Sequence, residues 1–247
     1  MKKQSNLYIF LYSSVMVIIV AALLSLASTA LKPFQQKNIE TEKRLDILKS
    51  VGRASEVATA ASKHEYVGNE FAQVIVEQLV VNRKGNRVKG VDPFTVDLKV
   101  EFAKPANEQT LPVFVAKLDD VSLKYILPLL GRGLWGPIWG YISLNDDFNT
   151  VYGASFAHKS ETPGLGAEIA NADFQEQFKG KQIFSDSKFV SITVVKGGAQ
   201  PNDVHGVDAV SGGTITSVGL EVMIKDCLTG YQEFFKKSKI QSDERED

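Results

Sequence analysis

From Leu7 to Leu31 the chain carries no charged side chain: LYIFLYSSVMVIIVAALLSLASTAL. As a helix rising about 1.5 Å per residue, this run is long enough to cross the roughly 30 Å hydrocarbon core of a bilayer. A cleaved signal peptide is the rival reading, and Ser28-Thr29-Ala30 gives it some support. Signal h-regions, however, extend only about 7–15 residues, so the run is read as an uncleaved transmembrane helix, 7–31. Lys2 and Lys3 place the short N-terminus, 1–6, in the cytoplasm. The remainder of the chain then lies on the outer side.

The stretch 32–63 is polar and reads as a juxtamembrane helix or linker, solvated, with Ile39, Leu45 and Leu48 among alternating charges. Ala58 to Ser62 reads as a loose connection. A domain follows over 64–238, and a charged tail over 239–247. The 247 residues are 44% hydrophobic and 23% charged, a globular balance rather than a disordered one. Formal net charge is −1 and no basic block is present, which argues against a nucleic-acid partner. The single cysteine, Cys227, has no disulfide partner within the chain. His64, His158 and His205 are scattered and build no metal site with it.

Strands are expected from about Phe71. Thr95 to Phe102 alternates, placing Val96, Leu98, Val100 and Phe102 on one face. Further candidates are 112–116, 124–127, 138–144, 150–156 and 189–195. Turns are expected at Asn82–Asn86 and Asn145–Asp147, and a helix at about 167–178. The pattern implies an α+β domain with a mainly antiparallel sheet and flanking helices behind one transmembrane helix.

Three stretches carry the chemistry. The densest is Asp208-Ala-Val-Ser-Gly-Gly-Thr-Ile-Thr-Ser217, an acid, two glycines and four hydroxyls in ten positions. Leu220, Met223, Ile224, Cys227, Leu228 and Tyr231 then fall on one helical stripe. Thr216 or Ser217 is the expected N-cap. A glycine loop leading into a helix N-terminus suits an anion, because the first-turn amides lack intrahelical partners. An ordinary capped turn would look the same. The second stretch, Gly131-Arg-Gly-Leu-Trp-Gly-Pro-Ile-Trp-Gly140, holds both tryptophans of the chain. Such a Trp packs either in a core or on a flat ring. The third, Glu161-Thr-Pro-Gly-Leu-Gly166, is a tight turn before a helix. Ser211 lacks the Gly-x-Ser-x-Gly elbow, and Gly212-Gly213 lacks the Lys-Ser/Thr of a P-loop. No dinucleotide fingerprint occurs, and no catalytic acid–base pair or nucleophile is expected.

Asp-x-x-Ser-Gly-Gly-Thr resembles the flavinylation motif of the FMN-binding domain family, with Gly213 where that family usually has Ala. Taken with the Gly-Leu-Trp-Gly-Pro and Glu-Thr-Pro-Gly-Leu-Gly stretches, in this order behind one anchor, the chain resembles the C-subunit family of the Na⁺-translocating NADH:quinone reductases. The resemblance implies FMN held by a phosphoester to Thr214, with Ser211, Gly212, Gly213, Thr216 and Ser217 around the phosphate. It implies that Leu134, Trp135, Glu161, Thr162, Leu165 and Gly166 border the flavin ring and that Lys196 offsets phosphate charge. Asp208 would serve a flavin transferase or hold the loop. Other subunits of a membrane complex, a flavin transferase and membrane lipid are the implied partners, in a bacterial inner membrane with the domain periplasmic. An Rnf-type electron-transport subunit shares the architecture, and a non-redox extracytoplasmic binding module is the third reading.

Overall fold

The computed structural model describes residues 6–119 and 122–246, with the last six given as backbone only. Lys2 and Lys3, on which the orientation rests, lie outside the described residues. The chain divides into two compact units between Glu42 and Lys43. Among the described residues the first unit is a single helix, part of α1 (Asn6–Ser50). Its apolar run is exposed along its length, and α1 is the one helix among the described residues long and apolar enough to cross a membrane.

The second unit begins within α1. Leu45, Ile47 and Leu48 are buried there together with Val51. They pack with Val67, Phe71 and Val74 of α2 (Lys63–Val74) and with one face of the sheet. The 32–63 stretch is therefore not a solvated linker throughout, since its Leu45 and Leu48 belong to a core. Ser62 does act as a boundary, accepting the Glu65 amide at 3.4 Å as the N-cap of α2.

β1 (Ile75–Asn82) turns into β2 (Arg87–Val88) through the expected Asn82–Asn86 turn. The Asn82 side-chain oxygen accepts the Lys84 and Asn86 amides at 3.0 Å. The expected strand over Thr95–Phe102 is absent: a 3₁₀ turn at Pro93–Thr95 leads into α3 (Leu98–Ala103). Asp97 caps α3 by accepting the Lys99 amide at 2.9 Å, and Glu101 accepts the Thr110 amide at 2.8 Å. Leu98 and Phe102, four apart, pack on the core, whereas Val100 is exposed. The local capping and the i,i+4 pair prevail over the period-two pattern.

β3 (Thr110–Lys117), β4 (Leu123–Arg132), β5 (Pro137–Leu144) and β6 (Val151–His158) complete a six-stranded antiparallel sheet ordered β2-β1-β3-β4-β5-β6. The β5–β6 turn is the expected one, with Asp147 accepting the Asn149 and Thr150 amides at 2.9 and 2.8 Å. The helix expected at 167–178 is broken at Asn171 into a 3₁₀ segment, Gly166–Ala170, and α4 (Ala172–Glu176). The 189–195 strand is also broken. β7 (Phe184–Ser185) pairs with β8 (Lys188–Phe189), and β9 (Thr193–Val195) pairs in parallel with β10 (Gly206–Asp208). The break falls at Ser191, whose φ of 67° lies outside the strand region.

α5 (Thr214–Thr229) covers the sheet face opposite the α1–α2 layer, and α6 (Gln232–Glu246) follows it. The helical stripe is buried as expected, from Leu220 to Tyr231. The expected 239–247 tail is helical as far as Glu246. α5 lies unusually close to the end of β4. A Cβ on Gly131 would fall 2.5 Å from the Met223 Cβ, and one on Gly219 would collide with the Arg132 carbonyl oxygen. Cys227 Sγ, facing the same strand, lies 3.5 Å from the Leu130 carbonyl oxygen and donates to it. Burial pushes its thiol up to about 12, which keeps it protonated.

Candidate functional site

The approach of α5 to β4 brings the three glycine-rich stretches together. The β4–β5 turn closes with the Gly133 amide donating to the Gly136 carbonyl at 2.9 Å. The turn after β6 closes with the Leu165 amide donating to the Thr162 carbonyl at 3.1 Å, and Gly164 there takes φ of 75°. The third stretch is the loop into α5. The Gly213 amide donates to the Val210 carbonyl at 3.0 Å, and Gly212 takes φ of 71°. That left-handed conformation suits glycine and would strain a side chain.

Gly213, rather than Thr216 or Ser217, is the N-cap of α5, and it provides no side-chain cap. The two hydroxyls have other partners. Ser217 Oγ accepts the Val210 amide at 3.1 Å and so holds the loop in front of its own helix. Thr216 Oγ1 donates to Glu161 Oε2 at 2.5 Å, and both residues are buried. Thr214 is the first helical residue and is half-buried. Since the first intrahelical bond runs from the Ser217 amide to the Gly213 carbonyl at 2.9 Å, the amides of Thr214, Ile215 and Thr216 precede it and stand at the positive end of the macrodipole.

Glu161 is the hub. Its Oε1 accepts the Trp135 amide at 2.8 Å, and the Gly136 amide also donates to the carboxylate. The Glu161 amide donates to His158 Nδ1 at 3.2 Å. Burial alone would raise the Glu161 pKa. The bonds from Thr216, Trp135 and Gly136 outweigh burial and hold the carboxyl below its ordinary value. The surrounding glycines leave it room: a Cβ on Gly133 would sit 2.6 Å from Glu161 Oε1, and one on Gly166 would sit 2.6 Å from Oε2. The 161–166 turn also abuts the loop, since a Cβ on Gly212 would sit 2.5 Å from Leu165 Cδ2.

Of the residues expected around one ligand, the structure joins Leu134, Trp135, Glu161, Leu165, Gly166, Gly212, Gly213, Thr216 and Ser217 into one cluster, with Thr162 closing its turn and Ser211 in the loop. Trp135 is 65% exposed, and Leu134 and Leu165 are also exposed, so this Trp is no core residue. Lys196 follows β9 directly after Val195, whose carbonyl accepts the Ala209 amide at 3.0 Å at the start of the loop, and its own side chain is exposed. Asp208 holds the neighbouring turn, its Oδ1 accepting the Ala199 amide at 2.8 Å, while its own amide donates to Gln177 at 2.8 Å. Three exposed apolar residues on the outer face of α5, Ile215, Val218 and Val222, were not singled out from the sequence. Their 3- and 4-residue spacing is the signal that marks them.

The donor set fits a phosphate-bearing group with a flat apolar part. Glycines clear the approach, first-turn amides and a hydroxyl stand at a helix N-terminus, and exposed apolar side chains lie alongside.

The model of the FMN-binding domain family matches residues 133–229, a span that contains all three turns. The C-subunit of the Na(+)-translocating NADH-quinone reductase of Vibrio vulnificus is 33% identical over 220 residues, covering 83% of each chain. The Pasteurella multocida C-subunit is 32% identical, covering 94% of this chain and 93% of its own. The crystal structure of the C-subunit from Parabacteroides distasonis superposes with a TM-score of 0.73 at 41% identity, covering 83% of this chain and 96% of that one. The chain belongs to the C-subunit family of the Na(+)-translocating NADH-quinone reductases.

Proposed function

We propose that this chain is a membrane-anchored flavoprotein subunit of a Na⁺-translocating NADH:quinone reductase, carrying FMN as a phosphoester on Thr214 and relaying electrons between neighbouring subunits. The observation that carries the attachment point is the contrast between two threonines. Thr216 is 1% exposed and its hydroxyl is committed to Glu161. Thr214 is half-buried at the first helical position, directly behind Gly212 and Gly213. Attachment forms a bond from Thr214 Oγ1 to phosphorus and breaks a phosphoanhydride in an activated flavin donor. The nucleotide fragment leaves and the hydroxyl proton goes to solvent. A flavin transferase is the partner that this step requires.

Bound FMN supplies the redox chemistry. The chain's own residues bind and orient. The amides of Thr214, Ile215 and Thr216 face the phosphate, with Ser211, Gly212 and Gly213 forming the rim. Leu134, Trp135, Thr162, Leu165 and Gly166 border the ring, and Ser217 fixes the loop. A covalent link keeps the group from being lost outside the cell, in the periplasm, where the domain lies in this reading. The exposed Leu134, Trp135 and Leu165 leave one edge of the site open to partner subunits. Lys196, exposed and next in sequence to Val195, which bonds the start of the loop, offsets phosphate charge.

Peptide mass spectrometry of protein co-expressed with a flavin transferase tests the reading. FMN is expected on the peptide containing Thr214, and Thr214→Ala is expected to abolish it. FMN mapped to Thr216, or retained covalently in Thr214→Ala, overturns the assignment.

A further inference from the structure

Glu161 matches the ring-bordering set by its position in the turn, yet both its oxygens face inward on the protein. Oε2 takes the Thr216 hydroxyl at 2.5 Å and Oε1 the Trp135 amide at 2.8 Å, with Gly136 as a further donor. The three partners come from the start of α5 and from the β4–β5 turn, while Glu161 itself opens the 161–166 turn. One carboxylate thus bonds across all three stretches, over 26 residues in one direction and 55 in the other. The residue is only 5% exposed, which leaves little of it to meet a ligand. Gly133 and Gly166 lie where any side chain would displace it.

We propose that Glu161 is a positioning residue, a clasp whose carboxylate holds the β4–β5 turn, the 161–166 turn and the first turn of α5 in register before the flavin arrives. It acts through Thr216 and the Trp135 and Gly136 amides. The proposal rests on the Thr214 attachment reading for its functional consequence, but the clasp itself exists without a flavin. Without the carboxylate, the Thr216 hydroxyl and two amides lose their acceptor. The first turn of α5, which presents Thr214, then loses its tie to the turn that carries Trp135. Small misplacements of a reacting group are costly to rate.

The test uses the full chain in membranes with a flavin transferase, and reads the rate of flavin incorporation, the visible circular dichroism of bound flavin, and amide hydrogen exchange at Trp135 in flavin-free protein. Glu161→Ala is expected to slow incorporation roughly ten- to hundred-fold. Glu161→Gln keeps an acceptor for the Trp135 amide and a donor that the Thr216 hydroxyl can accept, so it is expected to restore most of the rate and the wild-type dichroism. The pair Glu161→Ala with Thr216→Val is expected to be no slower than Glu161→Ala alone, because the bond that Thr216→Val removes is already lost in Glu161→Ala. Leu48→Ala, in the core on the other sheet face, is the control for general destabilisation and is expected to incorporate flavin at the wild-type rate below its melting temperature. If Glu161→Ala does not fold, Thr216→Val carries the same measurements. Wild-type incorporation in Glu161→Ala, an equal loss in Leu48→Ala, or no rescue by Gln overturns the clasp. If wild-type flavin maps away from Thr214, the attachment reading falls instead. Exchange at Trp135 then decides the clasp alone: acceleration in Glu161→Ala supports it, and unchanged protection overturns it.

Discussion

Gly166→Ala is the sharpest stability test of the site's packing. The added Cβ would lie 2.5 Å from Thr216 Oγ1 and 2.6 Å from Glu161 Oε2. Neither atom is the free end of an exposed chain: Thr216 is 1% exposed and Glu161 5%. The methyl therefore forces the two apart and breaks their hydrogen bond. Losing a buried bond to a charged group costs about 1.5–3 kcal/mol, and overpacking adds about 1–3 kcal/mol. Reduced unfolded-state entropy offsets about 0.4–1 kcal/mol. The net loss is about 2–5 kcal/mol. At about 2–4 °C per kcal/mol for a unit of this size, the melting temperature should fall by roughly 4–20 °C. Gly164→Ala is the matched comparison. Nothing lies within 4 Å of its Cβ, and its φ of 75° is the only obstacle. Its cost should be about 1–2 kcal/mol, the left-handed penalty of an L-residue. Both tryptophans of the chain, Trp135 and Trp139, lie on the β4–β5 turn and on β5, so tryptophan fluorescence during thermal unfolding reports on this region. A Gly166→Ala protein within about 0.5 kcal/mol of wild type, or a Gly164→Ala protein that loses as much, would refute the packing argument.

Trp135→Ala is expected to leave covalent attachment intact while altering the flavin spectrum and reduction potential; an unchanged spectrum and potential in a folded variant would remove Trp135 from the ring site. Because the Glu161 pKa is lowered in the folded protein, its stabilisation is complete above the ordinary value of 4.5 and is lost as pH falls through the folded value. The stability difference between wild type and Glu161→Gln should therefore shrink below about pH 4.5; Glu101 and Asp147, also lowered, cancel in that difference. A difference that is flat from pH 7 to pH 3 would contradict this. A reporter fused after Asp247 should be active only on the outer side of the membrane, and cytoplasmic activity or a mature N-terminus near Lys32 would refute the anchor's orientation.

What could be read in advance was local. The glycine pairs, the Trp-bearing turn and the α5 stripe sit in contiguous segments whose spacing speaks for itself. The Thr216–Glu161 bond spans 55 residues, and no pattern within either segment announces it. Thr216 read as a cap because a hydroxyl near a helix start usually caps, and a buried carboxylate took it instead. Thr95–Phe102 misled for a related reason: Leu98 and Phe102 satisfy a period of two and a spacing of four at once. Asp97, placed to cap, was the residue that distinguished helix from strand. The parallel β9–β10 pair likewise depends on a return of the chain that short-range alternation does not encode.

The burial of the end of α1 decides where this protein can be cut. Leu45, Ile47, Leu48 and Val51 are at most 3% exposed, and burying each such side chain is worth about 1.5–3 kcal/mol as an upper estimate. Together they amount to roughly 6–12 kcal/mol, comparable with the whole stability of an ordinary domain, about 5–15 kcal/mol. A soluble fragment begun at Gly52 would lack four of the side chains in the cluster that holds Phe71, Phe114, Ile126 and Tyr141, whereas one begun at Lys43 keeps them. A protease that clips between Leu31 and Lys43 would release a folded domain, and one that clips after Ser50 would release a substrate for further degradation.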